Sequence, residues 1–202
     1  GVLNYGELII PGQSEKEIFL STYICHPSMA NDELSGPVVM TWLAKWIASQ
    51  PRYYTYRIVF APETIGSIVY LSRNLDALRW NVVAAFNIAC MGNAGFQMIH
   101  SRSGDTLADK VAFHATRHFA PRFVEQDFLE RGGDERQYCS PGVDLPMVAL
   151  WKNVNYPEYH TSLDDLSYIS EAHLNEGLEW VKLCLETLEL NRDYSTTMLC
   201  EP

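Results

Sequence analysis

Four stretches of the chain, Glu17–Cys25, Tyr54–Ala61, Val82–Ala89 and Leu145–Trp151, are apolar almost throughout. A strand that shows one face to water alternates apolar and polar residues. A near-continuous apolar run is what a strand needs when both faces are covered. Between these runs lie segments of helical period. Ser35–Ser49 carries Val38, Val39, Trp42, Leu43, Trp46 and Ile47 at spacings of three and four, and Pro51 ends it. Further helices are expected over about Ser67–Asn74, over Leu107–Phe119, and over Glu171–Leu190 with Leu174, Leu178, Val181, Leu185 and Leu188 inward. Short strands are expected within 3–10, ended by the turn signal Pro11-Gly12, and at Gln97–His100 and Phe123–Gln126. Strands alternating with helices predict an α/β fold: a three-layer sandwich of helices around a mostly parallel, mixed sheet. One domain over 1–202 is expected, with no internal repeat or linker.

A formal net charge of -10 argues against a nucleic-acid-binding surface and suits a site for a cation. No apolar run reaches the roughly 18 residues of a membrane span, so no membrane partner is expected. Cys25, Cys90, Cys139, Cys184 and Cys200 are odd in number and form no CxxC pair, which implies neither a disulfide framework nor a cysteine zinc cluster. Apolar neighbours around Cys25, Cys90 and Cys184 predict buried, reduced thiols and a cytoplasmic compartment. The start at Gly1, with no signal peptide, suggests a processed or trimmed chain.

The polar residues that carry chemistry follow the apolar runs. His26 and Asp32 come after the first, Glu63 after the second, and Tyr159, His160 and Asp164 after the last. Asp134 and Arg136 lie in the Gly-rich loop 130–143, and a second loop covers 153–165. In a parallel sheet, loops after strands share one edge, the edge where ligands bind. An imidazole with a carboxylate there is half of a catalytic zinc site, which takes three protein ligands and keeps an open position. Each residue also has a plainer use. Asp32 can cap a helix, Glu63 can favour a helix N-terminus, and Asp164 can start a turn or orient His160. His114, His118 and His173 sit on predicted helices and read as surface or helix-end residues, and His100 ends a strand.

The segments Cys25-His-Pro-Ser-Met-Ala-Asn-Asp32-Glu-Leu-Ser-Gly36, Pro62-Glu-Thr-Ile-Gly-Ser67, Phe86–Gly92, Gly132–Pro141 and Tyr159–Asp164 resemble those of M28-type zinc aminopeptidases. They are most similar to an aminopeptidase-like branch of which some members are encoded near polysaccharide-biosynthesis genes. The resemblance implies a zinc-exopeptidase-like fold and two metal ions that activate water for attack on an amide. It gives His26, Asp32 and His160 as metal ligands and Glu63 as general base. Two carboxylates of the family pattern are absent: Thr64 stands where a second glutamate follows the base, and Ala89 where an aspartate is expected. Ser28 replaces the aspartate two residues after the first histidine, so the orienting partner of His26 is undetermined. The expectation is therefore a single zinc. Arg136 is expected to clamp a substrate carboxylate and Tyr138 to donate to a developing oxyanion. The resemblance also implies an amino-terminal part, a lid-like insertion and a further small domain, so this sequence is expected to be a partial chain. The expected partner is a small peptide or amide substrate, or an acylated amino sugar, with homo-oligomerisation through an exposed sheet edge. A non-catalytic binding module, and a cyclase transferring an internal amine, are the competing readings.

Overall fold

The structure, a computed structural model, describes residues 1–192, so Cys200 lies outside the described residues. Seven strands form one sheet: β1 (Gly6–Ile10), β2 (Glu17–Tyr23), β3 (Thr55–Ala61), β4 (Val82–Ala89), β5 (Gln97–Ile99), β6 (Val124–Gln126) and β7 (Met147–Trp151). Their spatial order is β1-β3-β2-β4-β7-β5-β6. The central four, β3, β2, β4 and β7, are parallel, while β1 joins β3 and β5 joins β7 antiparallel. The predicted mixed, mostly parallel sheet is the observed one.

Pleating divides each central strand between two cores. Ile18 and Leu20 of β2 face one way, with Tyr56, Ile58, Phe86 and Val148. Against that face pack α1 (Ser35–Ala48), α3 (Leu107–Phe119) and α5 (Glu171–Leu190), through Leu43, Ile47, Val111, Trp180 and Leu185 among others. Phe19, Val59, Ala85 and Met147 face the other way, against Tyr70, Leu71 and Leu78 of α2 (Ile65–Asn81) and Tyr138 of the short α4 (Glu135–Tyr138). Both faces of the central strands are thus dry, the condition that their apolar runs predicted.

Several boundaries differ from expectation, three of them for a readable physical reason. α2 runs to Asn81 rather than Asn74, because Leu71, Leu75 and Leu78 continue the helical period and no breaker intervenes. The last buried strand starts at Met147, since Pro146 has no N–H for the ladder. The loop after residue 130 holds α4, a single turn that the Gly-rich composition concealed.

Order along the chain runs from β2 outward to β3, then back across β2 to β4 and β7. The connections therefore diverge on either side of β2, and a crevice opens at the carboxyl ends of β2, β3, β4 and β7, the usual binding place of such sheets.

Candidate active site

A pocket of about 430 Å³ lies at this edge, lined by Tyr23, His26, Asp32, Glu63, Arg136, Tyr159 and His160, with Gln97, Gln126, Glu130, Trp151 and Asn155 on its far wall. The loops that follow four strands deliver these groups, as the positions of the polar residues in the sequence suggested. His26, Asp32 and His160 come together, with one donor atom of each lying within 4.8 Å of the others. The His26 and His160 rings stack at 5.3 Å between centroids.

Asp32 is buried, and its two oxygens differ. Oδ1 accepts from the Tyr23 hydroxyl at 2.7 Å. Oδ2 lies 2.8 Å from His160 Nε2, yet it is buried and has no well-formed hydrogen bond. A buried carboxylate oxygen left without a donor is costly. A cation shared with the two imidazoles relieves that cost, and one carboxylate with two histidines is a donor set that zinc accepts. The residues present therefore fit a divalent metal.

The backbone around Asp32 is fixed from far along the chain. Asp164 accepts from the Asn31 amide at 2.7 Å, from the Asp32 amide at 3.0 Å and from the Tyr156 hydroxyl at 2.9 Å. Asp164 thus supports the Asp32 loop rather than orienting His160. His160 has a φ of 57°, in the left-handed region, and stacks on Tyr159 at 3.9 Å. The neighbour of His26 Nδ1 is Cys25 Sγ, at 3.3 Å. Cys25 is exposed, not buried as its apolar neighbours suggested, because β2 ends at Tyr23 and the chain turns out of the sheet. Cys90 and Cys184 are buried as expected.

Glu33, next to the candidate ligand, is fully enclosed. It accepts from Thr22 Oγ1 at 3.1 Å and from the Cys90 amide at 2.8 Å, tying the loop to β2 and β4. Gly36 is required beside it, since a Cβ there would stand 1.6 Å from Glu33 Oε1.

Glu63 leaves β3 on a tight turn. Thr64 has φ 62° and ψ -67°, and the Ile65 amide donates to the Glu63 carbonyl at 2.7 Å. This is a γ-turn of the rare, strained kind. Strain of this sort persists where surrounding contacts hold it. Here Asp134 Oδ1 accepts from the Thr64 amide at 2.7 Å and from Ser67 Oγ at 3.0 Å. Burial, then the nearby charge of Asp32, raises the Glu63 carboxyl above its ordinary value, against the pull of Arg136 and His160. Burial likewise pushes Asp134 up to about 7.

Arg136 is exposed at the pocket rim, 3.4 Å from Thr64 Oγ1. Tyr138 is a correction. It is fully buried in the second core, its ring edge-on to Phe19 and its hydroxyl 3.1 Å from Ser21 Oγ, so it does not reach the pocket. It lies two residues after Arg136 in α4, about half a helical turn round, and so points inward. Sequence reasoning missed Tyr23 and the wall from β5 and β6. Tyr23 carried a readable signal, since it precedes His26 by three residues at the end of β2. Gln97 and Gln126 carried none, because the place of β5 and β6 beyond β7 depends on the strand order.

The domain family of unknown function DUF4910 matches residues 1–191. The chain belongs to this family. It is 40% identical over 205 residues to a Clostridium acetobutylicum protein carried under a provisional name as a polysaccharide biosynthesis protein with an aminopeptidase-like domain. That match covers 100% of this chain and 47% of the relative, so the chain spans about half the relative's length. A crystal structure of a provisionally assigned peptidase from Clostridium acetobutylicum superposes with a TM-score of 0.93 at 40% identity, over 98% of this chain and 47% of that one. The zinc aminopeptidase BSAP of Bacillus subtilis superposes at 0.75 with 15% identity, over 95% and 51% of the two chains. The aminopeptidase of Aneurinibacillus sp. strain AM-1 gives 0.78 with 16% identity, over 91% and 47%. The fold is aminopeptidase-like.

Proposed function

We propose that this chain carries the centre of a zinc-dependent amide hydrolase of the aminopeptidase type, with one zinc held by His26, Asp32 and His160. The observation that supports it is the buried, orphaned Asp32 Oδ2 beside two imidazoles, in one pocket with Glu63. Bound there, zinc supplies a Lewis acid for the scissile carbonyl and lowers the pKa of attacking water. Glu63 takes a proton from that water and passes it to the leaving amine. Its raised carboxyl is a better proton acceptor near neutral pH than an ordinary glutamate. Tyr23 holds Asp32 Oδ1 and so keeps Oδ2 turned to the imidazoles. Arg136, on the rim, binds a substrate carboxylate.

The substrate class is a small peptide or amide. An acylated amino sugar is the second substrate reading, supported by the polar far wall and by the Clostridium acetobutylicum relative's name. A non-catalytic module is supported by the missing carboxylates at Thr64 and Ala89. No described helix is long and apolar enough to cross a membrane. We further infer a cytoplasmic setting from the free thiols Cys25, Cys90, Cys139 and Cys184, and self-association through edge strand β1, where Leu8 and Ile9 are exposed.

The test is zinc content together with hydrolysis of aminoacyl p-nitroanilides and N-acetylated amino sugars. Glu63→Gln is expected to retain zinc and lose roughly 10²- to 10⁴-fold in rate. Cys25→Ser is expected to keep zinc at the His26–Asp32–His160 position, and His160→Ala combined with Cys25→Ser to lose it. An undiminished rate in Glu63→Gln sinks the base assignment, and zinc without turnover of either class supports the binding module.

A further inference from the structure

The same edge holds a second donor set that the hydrolytic reading does not use. Cys25, His26 and Glu63 each offer a ligand atom, and these atoms lie within 4.8 Å of one another. They come from two loops: Cys25 and His26 follow β2, and Glu63 follows β3, its parallel neighbour. Cys25 Sγ stands 3.3 Å from His26 Nδ1, and the thiol is open to solvent. The γ-turn at Thr64 fixes where the Glu63 backbone leaves the sheet, on the side of the Cys25–His26 loop.

We propose that Cys25, His26 and Glu63 form a separate, thiolate-containing position for a soft or borderline divalent metal, next to the His26–Asp32–His160 position. Sulfur, imidazole and carboxylate together suit zinc, cobalt or cadmium and disfavour magnesium or calcium. Cys25 gives up its proton on binding, as a metal-bound thiol does. A neutral imidazole offers one lone pair, so His26 serves one metal at a time. The two positions are therefore alternatives that compete for His26, not a pair filled together. Occupancy of the thiolate position also removes Glu63 from the water it would deprotonate, which makes it an inhibitory position if the chain is a hydrolase. The metal proposal itself stands whether or not the chain hydrolyses anything.

The experiment is titration of the metal-free chain with cobalt(II), followed by absorbance. A thiolate ligand adds an intense near-ultraviolet sulfur-to-cobalt charge-transfer band, which histidine and carboxylate ligands do not give. The wild-type chain is expected to develop this band, Cys25→Ser to lose it, and His160→Ala to keep it. Glu63→Gln is expected to weaken the affinity read from the band, by at least the 10- to 100-fold that loss of an outer partner costs. As a second readout, zinc is expected to protect Cys25 from alkylation by iodoacetamide, and Glu63→Gln to reduce that protection. Absence of the band in the wild-type chain overturns the proposal. So does its survival in Cys25→Ser, which would move the thiolate to another cysteine. Its loss in His160→Ala would show that no separate position exists. None of these outcomes depends on turnover, so they are distinct from failure of the hydrolase reading.

Discussion

Asp134 shows how one side chain shapes a neighbour it does not touch. Its carboxylate holds the Thr64 amide and the Ser67 hydroxyl, and so holds the turn that presents Glu63. It does this from a buried place that favours the neutral acid, with a pKa of about 7 against an ordinary 3.8. The sign follows from linkage. Below 3.8 the group is protonated folded and unfolded, and stability is unaffected. As pH rises from there towards 7, the unfolded chain releases its proton first, and stability is lost. Thermal unfolding at pH 5 and pH 8 should therefore show a lower midpoint at pH 8, and Asp134→Asn should remove this share of the slope. Asn keeps an oxygen for Thr64 and Ser67, whereas Asp134→Ala leaves the Thr64 amide unpaired, with Ser67 still bonded to the Thr64 carbonyl at 2.9 Å, and should cost about 1–3 kcal/mol more. The sequence showed Asp134 as a polar residue of the Gly-rich loop that shares the binding edge. It did not show the turn, because a positive φ at a threonine has no sequence signature.

At the scale of elements, the entry into α1 is the most tightly fitted join in the site. The loop Ala30–Leu34 carries the buried Asp32 towards the pocket and Glu33 towards Thr22 and Cys90, and α1 begins directly after it. Glu33 occupies the space that a side chain at residue 36 would fill. Gly36→Ala must displace both Glu33 and the Thr22 hydroxyl, which would lie 2.6 Å from the new Cβ. The expected cost is about 1–3 kcal/mol by urea unfolding, with a loss of zinc affinity as Asp32 shifts. The helix itself was legible, since its apolar residues recur at three and four. The fit of its first turn was not, because Leu-Ser-Gly reads equally well as an ordinary start. A similar limit applies to Tyr138: the loop composition spoke for a surface, and only the helical turn of α4 turns the ring under Ser21 of β2.

For the molecule as a whole, the sheet is tied across its edge by charge as well as by packing. Arg57 of β3 binds Glu17 of β2 through two contacts, at 2.6 and 2.9 Å, and Glu7 of β1 at 2.6 Å. Arg57→Ala leaves Glu17 buried without its partner and should destabilise by about 3–5 kcal/mol in urea unfolding. Arg57→Met combined with Glu17→Leu should recover most of that loss, since removing both charges removes the desolvation cost. The architecture was legible because central parallel strands must be apolar on both faces, and the site because polar loops follow those strands. The far wall was hidden, since it depends on β5 and β6 lying beyond β7, an order that no local pattern states. One arrangement also bears on how the protein comes into being. Asp164 grips the amides of Asn31 and Asp32 across more than 130 positions of chain. A nascent chain has no such grip until the segment around Asp164 has left the ribosome. The candidate metal centre is therefore finished near the end of synthesis of this region, and a chain stalled before it would have strands but no competent cage for an ion.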